Sequence, residues 1–252
     1  VLKQAKAKYI VGLTATPIRK DGHHPIVIMQ CGSIRFSESA KKQAAARPFE
    51  HVVLTRQTDF KMLLESKDTK IQDIYAALVL DKDRNELIFN DLLKALEMGR
   101  SPLLLTERVE HLELFAEQLK GFAHNILVLK GGMGSKQRRE VADQLKAIPS
   151  SEERVILATG RYIGEGFDDA RLDTLFLAMP ISWRGTLQQY VGRLHRLHDN
   201  KQVVQVYDYV DIHVPTLIRM YKRRLKGYQA IGYTIQSGDE NSSQLVNEYE
   251  YV

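Results

Sequence analysis

Apolar positions along the chain follow two rhythms. From about Pro102 onward, short continuous apolar runs alternate with stretches in which apolar residues recur every three or four positions. The runs Leu103 to Thr106, Ile126 to Leu129, Arg154 to Ala158, Thr174 to Ala178 and Val203 to Tyr207 read as strands. Between the first two, Val109, Leu112, Phe115 or Ala116, and Leu119 keep helical spacing. After Gly134, Ser135 stands where an N-cap would, and Val141, Leu145 and Ile148 form one stripe. A third helix is expected from about Gly185 to Leu197 and another from about Val214 to Ala230. Strand and helix in alternation, with strands apolar throughout, imply an α/β fold: a parallel sheet with helices on both faces.

The first hundred residues carry a weaker pattern. Lys8 to Leu13 reads as a strand ending in a turn at Thr16-Pro17, and Ile26 to Phe36 and Phe49 to Leu54 read as two more. Thr69 to Glu97 reads as two helices broken near Asp81 to Arg84, so a short β segment and a helical pair precede the sheet. The tail Ser237 to Ser243 is polar and expected to be mobile, and no internal repeat is visible.

Composition narrows the class. A hydrophobic content of 44% over 252 residues suits a globular core. No apolar run approaches the roughly 20 residues that span a bilayer, and no signal peptide is visible, so a soluble, cytoplasmic protein with no membrane partner is expected. A single cysteine, Cys31, leaves no disulfide framework and no cysteine-based zinc site. Asp21, His23 and His24 cluster in a turn without a fourth distant ligand, so no metal site is assigned. The net charge of +5 permits a polyanionic partner, and its sharpest concentration runs from Arg219 to Lys226 with no acid among the cations. That run reads equally as a solvated helix face or as a phosphate contact.

The chemistry concentrates in Ser182 to His198, SWRGTLQQYVGRLHRLH. At about 100° per residue, Leu187, Tyr190, Val191 and Leu194 share one side of a helix, while Gln189, Arg193 and Arg196 share the other. No Asp or Glu within the segment pairs with these arginines, and guanidinium groups of that kind suit phosphate. The stretch Gln189 to Arg196, with Gly-Arg and a second Arg three residues later, resembles motif VI of superfamily 2 helicases. The resemblance implies that Arg193 and Arg196 are catalytic arginine fingers directed at the γ-phosphate of ATP, with Gln189 beside them as a nucleotide sensor.

Four further segments keep the order of that family. Ile156 to Asp168 resembles motif V: Thr159 and Gly160 would offer a hydroxyl and an open backbone N–H to a strand phosphate, and Gly164, Glu165, Gly166 and Asp168 would lie toward the nucleotide. Leu103 to Arg108 resembles motif IV, delivering Thr106 and Arg108, and Lys130 to Ser135 resembles motif IVa, in which Gly131, Gly132 and Ser135 would admit a nucleic-acid backbone. Gly12 to Gly22 resembles motif III in its DNA-repair-helicase and type III restriction-like form, where Thr14, Ala15 and Thr16 couple ATP binding to strand movement.

The resemblance therefore implies a RecA-like second motor lobe. Residues 1–22 would end the first lobe, 23–100 would hold a linker, the β segment and the leading helices, 101–236 the second lobe with its basic helix, and 237–252 the tail. No Gly-x-x-x-x-Gly-Lys-Ser/Thr loop and no acidic Asp-Glu-x-His box occurs, so the main phosphate and Mg2+ ligands are expected on a companion N-terminal lobe. The chain alone should hydrolyse ATP negligibly. DNA is the expected partner, with RNA also compatible, and a non-motor scaffolding lobe is the alternative. The apolar residues Tyr9, Ile10, Val11 and Leu13 would seek a substitute partner, on the same chain or on a second copy.

Overall fold

The computed structural model describes residues 8–14, 24–37, 40–62, 69–160, 169–181, 184–199 and 201–238. The elements are α1 (His24–Cys31), α2 (Ala40–Ala45), β1 (Glu50–Thr58), α3 (Ile71–Leu80), α4 (Lys82–Glu97), β2 (Pro102–Thr106), α5 (Val109–Gln118) and β3 (Ile126–Leu129). They continue with α6 (Ser135–Ala147), β4 (Val155–Thr159), β5 (Thr174–Leu177), α7 (Arg184–Leu194), β6 (Val203–Asp211), α8 (Pro215–Ile231) and β7 (Thr234–Ser237).

Seven strands form one parallel sheet in the order β3-β4-β2-β5-β6-β1-β7. The β segment at 50–58 is a member of this sheet, paired with β6 on one side and β7 on the other. Alternation along the strands sends Leu103 and Leu105 to one face and Leu104 to the other. The first face is covered by Leu187, Tyr190, Val191 and Leu194 of α7, with Tyr228 and Ile231 of α8 and Leu145 of α6. Ile88, Leu92, Leu112 and Phe115, from α4 and α5, cover the second. The RecA-like α/β architecture expected from the sequence is the one observed.

The break between α3 and α4 falls where the sequence placed it. Asp81 is extended, and its carboxylate accepts from the Arg84 backbone N–H at 2.8 Å, capping α4. Helix α8 opens on Pro215 and closes on Gly232, whose φ of 96° is the left-handed conformation a helix end uses.

Two expectations fail near the N-terminus. The run Ile26 to Phe36 is not a strand: residues 24–31 form α1, stopped by Gly32 at φ 83°, whose N–H donates to Ile28 O at 2.8 Å. An apolar run with no neighbouring strand satisfies its backbone locally, and a helix does so. Pro25 at the start and Gly32 at the end were legible signals of it. Nor is Lys8 to Leu13 a strand; it lies in no sheet, with Tyr9, Val11 and Leu13 78%, 81% and 93% exposed. The tail beyond Gly238 lies outside the described residues.

Buried ion pairs tie helices to strand ends. Arg84 donates to Asp211 at 2.7 Å and to Ala178 O at 2.7 Å, and Asp211 also accepts from Thr58 Oγ1 at 2.6 Å. Arg224 grips Asp208 with two hydrogen bonds of 2.8 Å and donates to Ile181 O at 2.9 Å. Arg224 thus leaves the basic run read from the sequence: it faces the core, while Arg219, Arg223 and Lys226 stay exposed. Among the described residues, no helix is long and apolar enough to cross a membrane.

Candidate functional site

In a parallel sheet every strand delivers its following loop to the same edge. Neighbouring strands β2, β4 and β3 therefore bring Thr106 to Arg108, Thr159 to Gly160 and Lys130 to Gly134 together. A hydrogen bond joins two of these loops, since Gly131 N–H donates to Thr159 Oγ1 at 3.0 Å. Gly132, with φ 87°, turns the chain between them.

Gly160 is where three segments meet. A Cβ on this residue would collide with the Tyr190 hydroxyl from α7 and with the Glu107 carboxylate beside β2. A side chain there would have to displace one or both of these groups. Tyr190 is buried, and its pKa is raised by burial first and by the Glu107 charge second.

Thr106 is turned inward, 1% exposed. Its Oγ1 lies 3.1 Å from His111 Nδ1 and accepts from Arg108 N–H at 3.3 Å. His111 Nε2 in turn lies 2.8 Å from Asn85 Oδ1, and Asn85 Nδ2 donates to Val79 O at 2.8 Å. Burial, then the charge of Arg84, lowers the His111 pKa to about 3. The ring is neutral, and this chain of polar contacts locks the end of β2 to the junction of α3 and α4. Arg108 reaches α3, donating to Gln72 O at 3.0 Å and to Gln72 Oε1 at 2.9 Å, while its Nε is buried with no hydrogen-bond partner.

Ser135 is exposed and is the first residue of α6 rather than its cap. Gly134 occupies the N-cap position, and its N–H donates to Gln137 Oε1 at 3.1 Å. The Gln137 side chain thus takes up the N-cap backbone N–H, a different group from the first-turn N–H that a capping Ser135 hydroxyl would have served.

Helix α7 leaves the end of β5 and returns toward the start of β6, so its last turn lies at the opposite edge of the sheet. The helix stops at Leu194, three residues earlier than expected. Gln189 and Arg196 are exposed and Arg193 is half-buried. Arg196 lies two residues beyond the helix, so helical periodicity no longer sets its direction. Each arginine also interacts within the fold, so a lack of acids inside the segment does not leave them unpaired.

The early stop has a visible cause. The Lys201 ammonium, 7% exposed, donates at 2.8 Å to the carbonyls of Leu194, Arg196 and Ala170. A cation there answers the free carbonyls of the helix end and draws residues 194–196 off the helical path. Burial lowers the Lys201 pKa to about 8, with Asp173 and Asp169 opposing. His195 stacks on Tyr233 and bonds its hydroxyl at 2.8 Å. Burial, then the charges of His51, Arg47 and Lys201, lowers its pKa to about 3.

Thr14 is exposed, and Ala15 and Thr16 lie outside the described residues, as do Gly164, Glu165, Gly166 and Asp168. Asp169, just after them, is anchored 2.8 Å from Arg154 NH2. Lys201, Asp169 and His111 were not legible in the sequence because each has at least one partner far along the chain: Ala170, Arg154 and Asn85 respectively. The only local hint was a lysine shortly after a helix. Among the described residues, no group of three or more His, Cys, Asp or Glu could hold a metal ion.

Residues 84–198 match the family model of the helicase conserved C-terminal domain. The whole chain aligns at 25% identity with 49% of the putative ATP-dependent RNA helicase L396 of Acanthamoeba polyphaga mimivirus, so it spans about half that relative's length. Over 47% of the chain it is 30% identical to the transcript termination protein A18 of Vaccinia virus (strain Ankara), covering 24% of that protein. The crystal structure of T4 UvsW superposes on 84% of the chain and 44% of its own length, with a TM-score of 0.56 at 16% identity, a likeness of fold.

Proposed function

We propose that this chain is the second motor lobe of an ATP-dependent nucleic-acid helicase or translocase. The observation that carries the proposal is the meeting at Gly160: the Tyr190 hydroxyl of helix α7 and the Glu107 carboxylate after β2 both come so close to this glycine that a Cβ there would have to displace them. Movement of the helix bearing the arginines must then be felt at the loops on the other edge. Those loops, with Arg108, Gly131, Gly132, Ser135, Thr159 and Gly160, grip the strand through its backbone, without reading sequence. Thr106 holds this edge in shape through His111 rather than touching phosphate.

At the other edge Arg193 and Arg196 supply guanidinium donors to the triphosphate, with Gln189 and the segment Gly164, Glu165, Gly166 and Asp168 beside them. ATP and Mg2+ are held chiefly by a companion N-terminal lobe, to which Thr14, Ala15 and Thr16 lead. The exposed apolar residues of 8–14 cover themselves on that lobe or on a second copy. Light scattering of this chain should show self-association that Val11→Lys and Leu13→Lys abolish.

DNA is the strand we favour, on the form of the motif from Gly12 to Gly22. The name of the mimiviral relative makes RNA the second reading. Binding of the full-length protein to matched single-stranded DNA and RNA at two salt concentrations separates them. For the motor itself, Arg196→Ala in the full-length protein should cut strand-stimulated ATP hydrolysis by about 10³-fold or more while leaving strand binding intact. Turnover equal to wild type would overturn the proposal.

A further inference from the structure

Lys201 belongs to none of the helicase-like segments, yet it is where two of them are joined. An ammonium has three N–H donors. All three are used, at 2.8 Å each, on Leu194 O and Arg196 O at the end of α7 and on Ala170 O beyond the 161–168 segment. The side chain is buried, with the Phe49 ring 5.5 Å from the ammonium.

The Ala170 side of this junction is itself rigid. Asp169 meets Arg154 at 2.8 Å, and its Oδ1 accepts from Arg171 N–H at 3.0 Å. The Arg171 guanidinium caps the end of α6, donating to Leu145 O at 2.9 Å and Ile148 O at 3.0 Å. Lys201 therefore fastens the turn that carries Arg196 to a tripeptide already pinned to β4 and α6.

We propose that Lys201 is a positioning residue for Arg196, fixing the turn 194–196 against residues 169–171 so that the arginine is held in register with the frame formed by β4 and α6. The inference rests on the reading of Arg196 as an arginine finger. Removing the ammonium leaves three carbonyls without their donor in a dry site, and the turn relaxes toward a continued helix. A displacement of order 1 Å at a reacting group costs about 10²-fold in rate.

Lys201 would also impose a pH limit. Facing it are Asp173 and Asp169, which favour its charged form, and Arg47, which opposes it; His195, on the same turn, and His51 have pKa values lowered by burial. With its own pKa near 8, Lys201 loses a proton, and with it one of the three hydrogen bonds, as pH rises through that value.

The test uses the full-length protein. Lys201→Met should lower kcat of strand-stimulated ATP hydrolysis by about 10- to 100-fold, leave KM for ATP within about twofold, and cost nothing further in an Arg196→Ala background. A folded Lys201→Met protein with wild-type kcat would overturn the inference, as would an equal loss in both backgrounds. Wild-type turnover by Arg196→Ala alone would instead overturn the finger reading beneath it. Should Lys201→Met fail to fold, Lys201→Arg decides: its kcat should hold above pH 8 where the wild type declines, and superimposable alkaline limbs would refute the clamp.

Discussion

Replacing Arg224 by methionine removes one half of a buried pair that the chain cannot leave half-made. The guanidinium is 3% exposed, and its charge is held by two hydrogen bonds to Asp208 and one to Ile181 O. Burial alone would lower the arginine's pKa, but the Asp208 charge outweighs it and the net shift is upward. In the variant, Asp208 keeps the Tyr228 hydroxyl as a donor, at 2.9 Å, but no positive charge to answer its own. Breaking a buried pair from one side costs about 3–5 kcal/mol, because the surviving charge is stranded rather than because the pair was strongly favourable. For a chain of this size that is a fall in Tm of roughly 6–20 °C. Thermal and urea unfolding of Arg224→Met, Asp208→Asn and the double variant should show two costly single changes and a double far below their sum. A single-variant loss under about 1 kcal/mol, or additive losses, would refute the account and return Arg224 to the exposed basic face that the sequence suggested.

Other expectations follow from the same contacts. Gly160→Ala should destabilise by about 1–3 kcal/mol through overpacking against Tyr190 and Glu107, and Tyr190→Phe should recover part of the loss; additive losses in urea unfolding would count against the close approach. His111 titrates near pH 3 when folded and near 6.5 when unfolded, so the unfolded chain takes up the proton first as pH falls. Its stabilising effect is complete above about pH 6.5 and is lost across the window down to about 3, at about 1.4 kcal/mol per pH unit. His111→Asn should flatten the acid limb of stability by that slope, and an unchanged slope would show that His111 is protonated in the fold. Thr159→Val removes the acceptor of Gly131 N–H and should weaken strand binding several-fold at constant Tm within a few degrees; unchanged affinity would place the strand elsewhere.

What could be read from the chain and what could not divide along a physical line. The middle of the sheet was legible because β2, β4 and β5 are buried on both faces and so are largely apolar, and because Leu187, Tyr190, Val191 and Leu194 keep helical spacing to the end of α7. Those signals are periodic and local. The length of α7 was not legible, since it is set by Lys201, whose acceptors include Ala170 at a separation of 31 residues. Ser135 misled for a related reason: two adjacent residues, Gly134 and Ser135, could each begin α6, and Gln137 chose the glycine.

The role of charge was hardest to read. Arg84, Arg154 and Arg224 look on paper like Arg219, Arg223 and Lys226, yet the first three are buried on Asp211, Asp169 and Asp208 and the last three are exposed. A basic residue in such a fold has three distinct fates: bound to a buried carboxylate, capping a helix end as Arg171 and Lys201 do, or left to meet an anion from outside. Only the third can report on a nucleic-acid partner. The two capping cations hold the ends of α6 and α7, and Arg154 holds Asp169, which lies between those helices in sequence. Arg84, Arg154, Arg171, Lys201 and Arg224 therefore build the frame on which exposed cations can act, and the place of a basic residue, rather than the count of them, decides whether it is available for binding.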